Sequence, residues 1–309
     1  MDTSERRLVA QRHRIAYFFL AHRFPKYLRK LIERLTAPNV TFWVHIDTKS
    51  DEAEFVKELA GLPVTFIGER HYCRWGYFGF VKANLAGIRQ IVRSGQPFDH
   101  LVILSGQDYP LMGNEDIRNQ LRAKPESSFI HYVPLYKTNP HLADRYEKYH
   151  LFLPNNKAVI YPYDSPGVLK RLVNNGLRLS GQFPLPRKVP FNYELYFGSN
   201  WIRLSYKAAR YIVNFTELNK EMERFFSTTL NSDEVFFQTI LVNAPEAERG
   251  LLENNNLLFC HWHRSPDLYP SALTMADKDS LLSSQRLFAR KFDPVQSAEL
   301  LDWLDRNTA

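Results

Sequence analysis

Ile15-Ala16-Tyr17-Phe18-Phe19-Leu20 is followed by a segment with apolar residues at helical spacing, Tyr27 to Leu35, and then by Thr41-Phe42-Trp43-Val44-His45-Ile46. Both apolar runs are short, unbroken and rich in β-branched and aromatic residues, as strands buried on both faces are. The alternation continues. Val64 to Ile67 and His100 to Leu104 read as further strands, and Glu52 to Ala60, Val81 to Val92 and Glu115 to Ala123 carry helical spacing. Strand, helix, strand, helix predicts βαβ units and so an α/β fold, a mostly parallel central sheet flanked by helices. Ligands of such sheets sit outside the carboxyl ends of the strands, here the loops after Leu20, Ile46, Ile67 and Leu104.

Composition narrows the classes. The 309 residues are 44% apolar, 14% aromatic and 24% charged, which excludes a disordered chain, a coiled coil or collagen. Forty basic against 33 acidic residues give +7, which suits an anionic ligand, a nucleic acid or an acidic membrane surface. A nucleic-acid module would cluster its basic residues among aromatics, whereas here they are scattered outside the N-terminal arm, so no nucleic-acid partner is expected. Two cysteines, Cys73 and Cys260, are too few for a disulfide scaffold or a structural zinc site and favour a reducing compartment. Arg6, Arg7, Arg12 and Arg14 before Ile15 to Ala21 superficially resemble a secretory signal. The apolar stretch is short, and His22 and Arg23 close it without a cleavage site, so a buried strand is the reading. No run of 18 apolar residues occurs, so we expect a soluble, cytoplasmic protein.

From Ser128 to Phe197 prolines at 134, 140, 154, 162, 166, 184, 186 and 190 break the pattern, as binding or covering loops do. Regularity returns with an expected strand at Leu195 to Leu204, a helix from Tyr206 to about Phe215 and a helix starting near Ser232. A strand at Leu251 to Phe259 and helices at Asp279 to Ala289 and Pro294 to Asn307 complete the reading. No dinucleotide fingerprint, P-loop, H-E-x-x-H or G-x-S-x-G occurs. The only D-x-D, Asp277-Lys278-Asp279, precedes an apolar-periodic segment and reads as a helix cap. His261 and His263 share one face of a strand but lack a third ligand nearby, so no metal site is expected.

Four segments stand together: Trp43 to Ser50 (WVHIDTKS), Leu104 to Leu111 (LSGQDYPL), Ser232 to Leu241 (SDEVFFQTIL) and Leu287 to Asp293 (LFARKFD). In order and spacing they resemble the core-2/I-branching β-1,6-N-acetylglucosaminyltransferase and peptide O-xylosyltransferase family, glycosyltransferase family 14, with agreement from about Ile15 to Asp293. The resemblance implies a GT-A-type nucleotide-sugar fold forming a single catalytic domain over 1–309. Residues 15–125 would be its nucleotide-binding half and 126–309 its acceptor-binding and catalytic half. It also implies inverting transfer from a UDP-sugar to a glycan or glycoconjugate acceptor, with no metal or other cofactor.

Asp47, at a predicted strand end, can accept hydrogen bonds from ribose hydroxyls or a uracil N–H, or can simply cap a turn. Tyr72 matches a uracil-contacting tyrosine of the branching enzymes, and His22 falls in the same donor-binding set. Glu234 occupies the position of the family's catalytic base. There a carboxylate that stays ionised takes the acceptor's proton, as in single-displacement inverting chemistry; helix-dipole complementation is the alternative. Arg290 and Lys291 match the motif that neutralises the departing diphosphate. The family's upstream phosphate-binding arginine is missing, with only Tyr269 to Ala272 in its place, so Arg290 is expected to take over its role. Asp108, Tyr109, Trp201 and Asn200 are the expected acceptor-binding residues, although Asn200 replaces an aspartate of the xylosyltransferases.

The implied function is transfer of GlcNAc from UDP-GlcNAc by a bacterial enzyme building a surface glycan, with UDP-xylose as the alternative donor. A non-catalytic nucleotide- or carbohydrate-binding protein is the reading of another class. The N-terminal arginines would suit contact with the inner face of a membrane.

Overall fold

The computed structural model describes residues 13–147, 150, 187–261 and 270–308. Ile15–Ala21 (β1) is buried at all seven positions. It lies between two parallel neighbours, Val40–Ile46 (β2) and His100–Ser105 (β4). Val64–Phe66 (β3) extends the sheet beyond β2, again in parallel. Helices Pro25–Leu35 (α1), Glu52–Glu58 (α2) and Gly79–Arg93 (α3) make the crossovers, and Asn114–Arg122 (α4) follows β4. The expected strands and helices of this half are therefore present, with ends shifted by two residues or fewer.

The seven-stranded sheet has the order β10-β6-β9-β4-β1-β2-β3. Ser127–Ile130 (β6), Arg203–Ser205 (β9) and Leu251–Asn254 (β10) complete it, with β9 antiparallel to both β4 and β6. Period-2 alternation divides the core between the faces. Ala16, Phe18 and Leu20 of β1 pack with α3 and with Tyr206–Leu218 (α5). Ile15, Tyr17 and Phe19 pack on the other face with α1 and with Ala298–Asn307 (the C-terminal helix). Helices on both faces of a largely parallel sheet are the expected α/β architecture.

Three expectations in the second half are corrected. Leu195 to Leu204 is not one strand. Tyr196–Gly198 (β8) pairs with Tyr132–Pro134 (β7) in a separate ribbon, while β9 joins the main sheet, because Ser199-Asn200-Trp201 turns the chain between them. Leu251 to Phe259 divides likewise into β10 and Leu258–Cys260 (β11), separated by the Asn254-Asn255-Asn256 run and by Leu257 at φ 54°. The helix expected to reach Ala289 stops at Ser283, Gln285 takes φ 53°, and the chain re-emerges as strand Phe288–Arg290 (β12). Apolar residues at helical spacing concealed that strand. With Asp108–Pro110 (β5), β11 and β12 form a second sheet in the order β11-β12-β5. The helix Lys220–Phe226 and strands β5, β6 and β7 were not anticipated. Among the described residues no helix is long and apolar enough to cross a membrane.

Gly87 sits where α3 crosses β1, and a Cβ there would lie 2.1 to 2.7 Å from ring atoms of fully buried Phe18. Gly87→Ala should therefore destabilise the protein by about 1–3 kcal/mol through overpacking, although alanine is the better helix former. Urea unfolding should give a lower midpoint with an unchanged slope.

Candidate active site

The parallel registers place Ala21 opposite Ile46, and Leu20 opposite Ser105. The loops that begin at His22, Asp47 and Gly106 therefore share one edge. Because β2 and β4 leave β1 on opposite sides, this edge is also the topological switch point. Gly106 lets the exit of β4 close on β1, since its Cβ would stand 3.2 Å from that of Ala21.

Asp47 is 2% exposed. Its carboxylate accepts the Lys49 amide at 3.0 Å and the Cys73 amide at 3.1 Å, and the Lys49 ammonium lies 3.1 Å away. The turn-capping role is thus present, and the carboxylate ties the β2 loop to the loop that carries Tyr72. Arg70, which the sequence reading missed, fastens the same junction. Its guanidinium donates to the carbonyls of Ile46, Asp47 and Ser50 and to Glu52. Tyr72 is 40% exposed, with the Lys49 ammonium 5.9 Å from its ring centre, so a ring face is open to a base. Gly79 makes this loop possible, because any Cβ there would strike the Tyr72 carbonyl at 1.9 Å.

Across the edge, β12 pairs antiparallel with β5 so that Arg290 faces Asp108. The Arg290 guanidinium stacks on Trp201 at 4.2 Å, and its Nε is 3.7 Å from the Asp108 carboxylate. Lys291 follows on the same strand end. Its pKa is lowered to about 8 by burial, then by the charges of Arg23 and Arg290, with Asp293 opposing. His22 reaches solvent at one edge, yet partial withdrawal from water and the charges of Lys49, Arg23 and Lys291 lower its pKa to about 4, against Asp47. It enters the site as a neutral ring.

Three of the four expected acceptor residues are placed differently. Asp108 is fully buried and accepts the Ser105 amide and hydroxyl, so it anchors Arg290 and presents no surface to an acceptor. Burial raises its pKa, and Arg290 opposes the shift. Tyr109 is also fully buried, with its hydroxyl donating to Asp305 at 2.5 Å and its ring against Tyr27 and Phe292. Asn200 faces inward, its amide oxygen accepting from Asn84 of α3 at 3.0 Å. Trp201 alone is half-exposed, with Arg290 over one face.

Glu234 does not open a helix. Ser232–Glu234 is a 3-10 turn entered through Asn231 at φ 52° and left through Val235 at φ −131°, and the helix proper is Phe236–Asn243. Asn231 donates its amide to Gly76 at 2.9 Å, which fixes the turn against the Tyr72 loop. Arg145 approaches the Glu234 carboxylate at 3.9 Å. Burial and the neighbouring Asp233 raise the Glu234 pKa, and Arg145 and Asn231 only partly oppose them. Burial raises that of Asp233 as well. The expectation that Glu234 stays ionised is corrected accordingly: in the free protein the proton is retained well above the usual carboxylate range.

The core-2/I-branching enzyme family model matches residues 15–281. The chain belongs to the core-2/I-branching enzyme family. The beta-glucuronosyltransferase GlcAT14A of Arabidopsis thaliana is 26% identical over 292 residues, 87% of this chain and 59% of that protein. Xylosyltransferase 2 of Rattus norvegicus is 24% identical over 319 residues, and that of Homo sapiens 25% over 316; each covers 94% of this chain and 33% of the relative. The chain thus spans between 33% and 59% of the length of these relatives.

In this family member the matched region stops short of Arg290 and Lys291, which the β5–β12 pairing returns to the strand-end cleft. Asp277 of the D-x-D closes a capping box with Thr274 in the preceding 3-10 turn, and its carboxylate accepts from the His261 ring at 3.0 Å, but it makes no side-chain cap bond to the helix Lys278–Ser283 that follows. Among the described residues no three His, Cys, Asp or Glu side chains form a metal-holding group. His263, Tyr269, Arg6, Arg7 and Arg12 lie outside the described residues, as does 151–186 of the Pro-rich region.

A carboxyl whose pKa is raised by folding stabilises the protein while protonated, and that contribution is lost as pH rises through the raised value. Glu234→Gln should therefore melt with the wild type at about pH 5 and about 2–4 °C above it at about pH 9. Differential scanning fluorimetry across that range reads the divergence.

Proposed function

We propose that this chain is an inverting, UDP-sugar-dependent glycosyltransferase with Glu234 as general base and Arg290 and Lys291 stabilising the departing UDP. The observation that carries the reading is the Asn231–Gly76 bond. It sets a carboxylate with a raised pKa beside the Tyr72 loop, in the strand-end region to which β12 brings Arg290 and, just after it, Lys291. An acceptor hydroxyl gives its proton to Glu234 while its oxygen bonds to the anomeric carbon. The bond from that carbon to the β-phosphate oxygen breaks on the opposite face, and its electron pair leaves with UDP. Arg290 and Lys291 oppose the charge that develops there, the part a metal plays in other transferases, so catalysis is read as metal-independent. Tyr72 would stack on the uracil, with Asp47 and His22 shaping the ribose side, and Trp201 would offer a face to a sugar ring.

GlcNAc is the transferred sugar that the sequence motifs favour. The names of the relatives favour a second reading, xylose or glucuronic acid. A panel of UDP-GlcNAc, UDP-xylose and UDP-glucuronic acid, assayed for hydrolysis and for transfer to glycan acceptors in EDTA, should show turnover with one donor. Complete loss on chelation would refute the metal-free mechanism. The rate should climb with pH through neutrality, because a base with a raised pKa must first lose its proton. Glu234→Gln should keep UDP binding and lose several orders of magnitude in transfer, and full activity in that variant would exclude it as the base.

A further inference from the structure

Four cations converge on the strand-end cleft, and they are tethered in different ways. Lys49 is held by the Asp47 carboxylate and Arg290 stands beside the Asp108 carboxylate, so each brings its own counter-charge. Lys291 has Asp293 nearby. Arg23 differs. Its Nε and Nη2 donate to the side-chain oxygen of Gln107 at 3.1 and 2.9 Å, and its guanidinium lies 4.8 Å from the centre of the Phe24 ring. Among the described residues no carboxylate comes within ion-pair distance of it.

Gln107 is 4% exposed and fully committed. Its side-chain amide N–H donates to the Phe292 carbonyl at 3.0 Å, and its backbone carbonyl accepts the Phe292 amide at 2.9 Å. One neutral side chain therefore links the loop after β1, the loop after β4 and the residue that follows Lys291. It holds a guanidinium beside the Lys291 ammonium without neutralising either. Two cations held close together repel, and the lowered pKa of Lys291 reflects burial first and then the charges of Arg23 and Arg290, with Asp293 opposing. Gln107 leaves the charge of Arg23 intact for a diphosphate, whose oxygens a guanidinium meets with charge-assisted bonds.

We infer that Arg23, oriented by Gln107, is a third diphosphate-binding cation of this site, supplied by the loop after β1. The inference rests on the UDP-sugar reading above. Gln107 is a positioning residue in it, acting only through Arg23 and the Lys291 strand end.

Calorimetry of UDP and of uridine on the intact chain tests it. Arg23→Gln should weaken UDP binding by about tenfold or more while leaving uridine binding unchanged, and Arg23→Lys should restore most of the loss. Gln107→Leu should weaken UDP binding similarly, and the double variant should lose little more than either single one, as coupled residues do. Near pH 8, UDP binding should draw a proton onto Lys291, whose facing groups are Arg23, His22, Arg290 and Asp293. Arg23→Gln should reduce that uptake, because the ammonium is then less strained. Wild-type UDP affinity in Arg23→Gln, or equal losses for UDP and uridine, would overturn the inference and leave the UDP-sugar reading standing. A wild-type chain that binds neither probe would overturn both.

Discussion

Strand β1 is buried on both faces and hydrogen-bonded in parallel on both edges, and this single constraint orders the rest of the molecule. A strand with no wet face or free edge cannot slip, because a one-residue shift would send every side chain into the wrong core. Its register therefore fixes where β2 and β4 end, and with them the loops that carry Arg23, Asp47, Lys49 and Gln107. The second sheet is attached to this frame by sequence proximity. Strand β5 begins three residues after β4, so whatever pairs with β5 is delivered to the same edge. That partner is β12, which brings Arg290 and Lys291 from the far end of the chain.

Within the cleft, burial works against ionisation on both sides of the proposed reaction. It raises the carboxyl pKa of Glu234 and lowers the ammonium pKa of Lys291, so the free protein holds both groups closer to neutrality than water would. The two are not equivalent. On the proposed reading a bound diphosphate would hold Lys291 in its charged form by direct attraction, whereas nothing in the diphosphate would favour ionised Glu234. The Glu234 carboxyl is instead tuned by burial, Asp233, Arg145 and the Asn231 turn, elements of the second half of the chain. On the proposed reading, donor binding and the ionisation of Glu234 are governed by separate groups, although the Asn231–Gly76 bond joins their loops.

The first half was legible because its strands are continuous apolar runs, which only full burial rewards. The second half misled where a run crossed from one sheet to another. Leu195 to Leu204 and Leu251 to Phe259 each look like one strand in composition, and only the Ser199-Asn200 and Asn254-Asn255-Asn256 interruptions mark the crossing. The candidate site residues were chosen by type and position, and burial is what the sequence did not show. Asp108 and Tyr109 sit in the motif beside the cleft, yet the motif carries the strand that anchors Arg290 instead of a surface for the acceptor. Arg70 and Arg145 left no signal, and Gln107 and Asp233, although inside the quoted segments, gave none of their roles, since each acts through a contact distant in sequence or through the burial of its neighbour.

The choice of tether decides how much positive field the cleft retains. A carboxylate beside a cation lowers the net charge that a ligand meets, while an amide orients the cation and leaves its charge intact. Lys49 and Arg290 follow the first pattern and serve to hold loops and an aromatic face in place. Arg23 follows the second, and Lys291 is raised in energy by its presence. The repulsion between Arg23 and Lys291 at the strand edge, which Asp293 opposes, is further relieved by a bound anion on the proposed reading. A ligand carrying two phosphates should bind more tightly than its contacts alone require, and should stabilise the fold in proportion to the repulsion it removes.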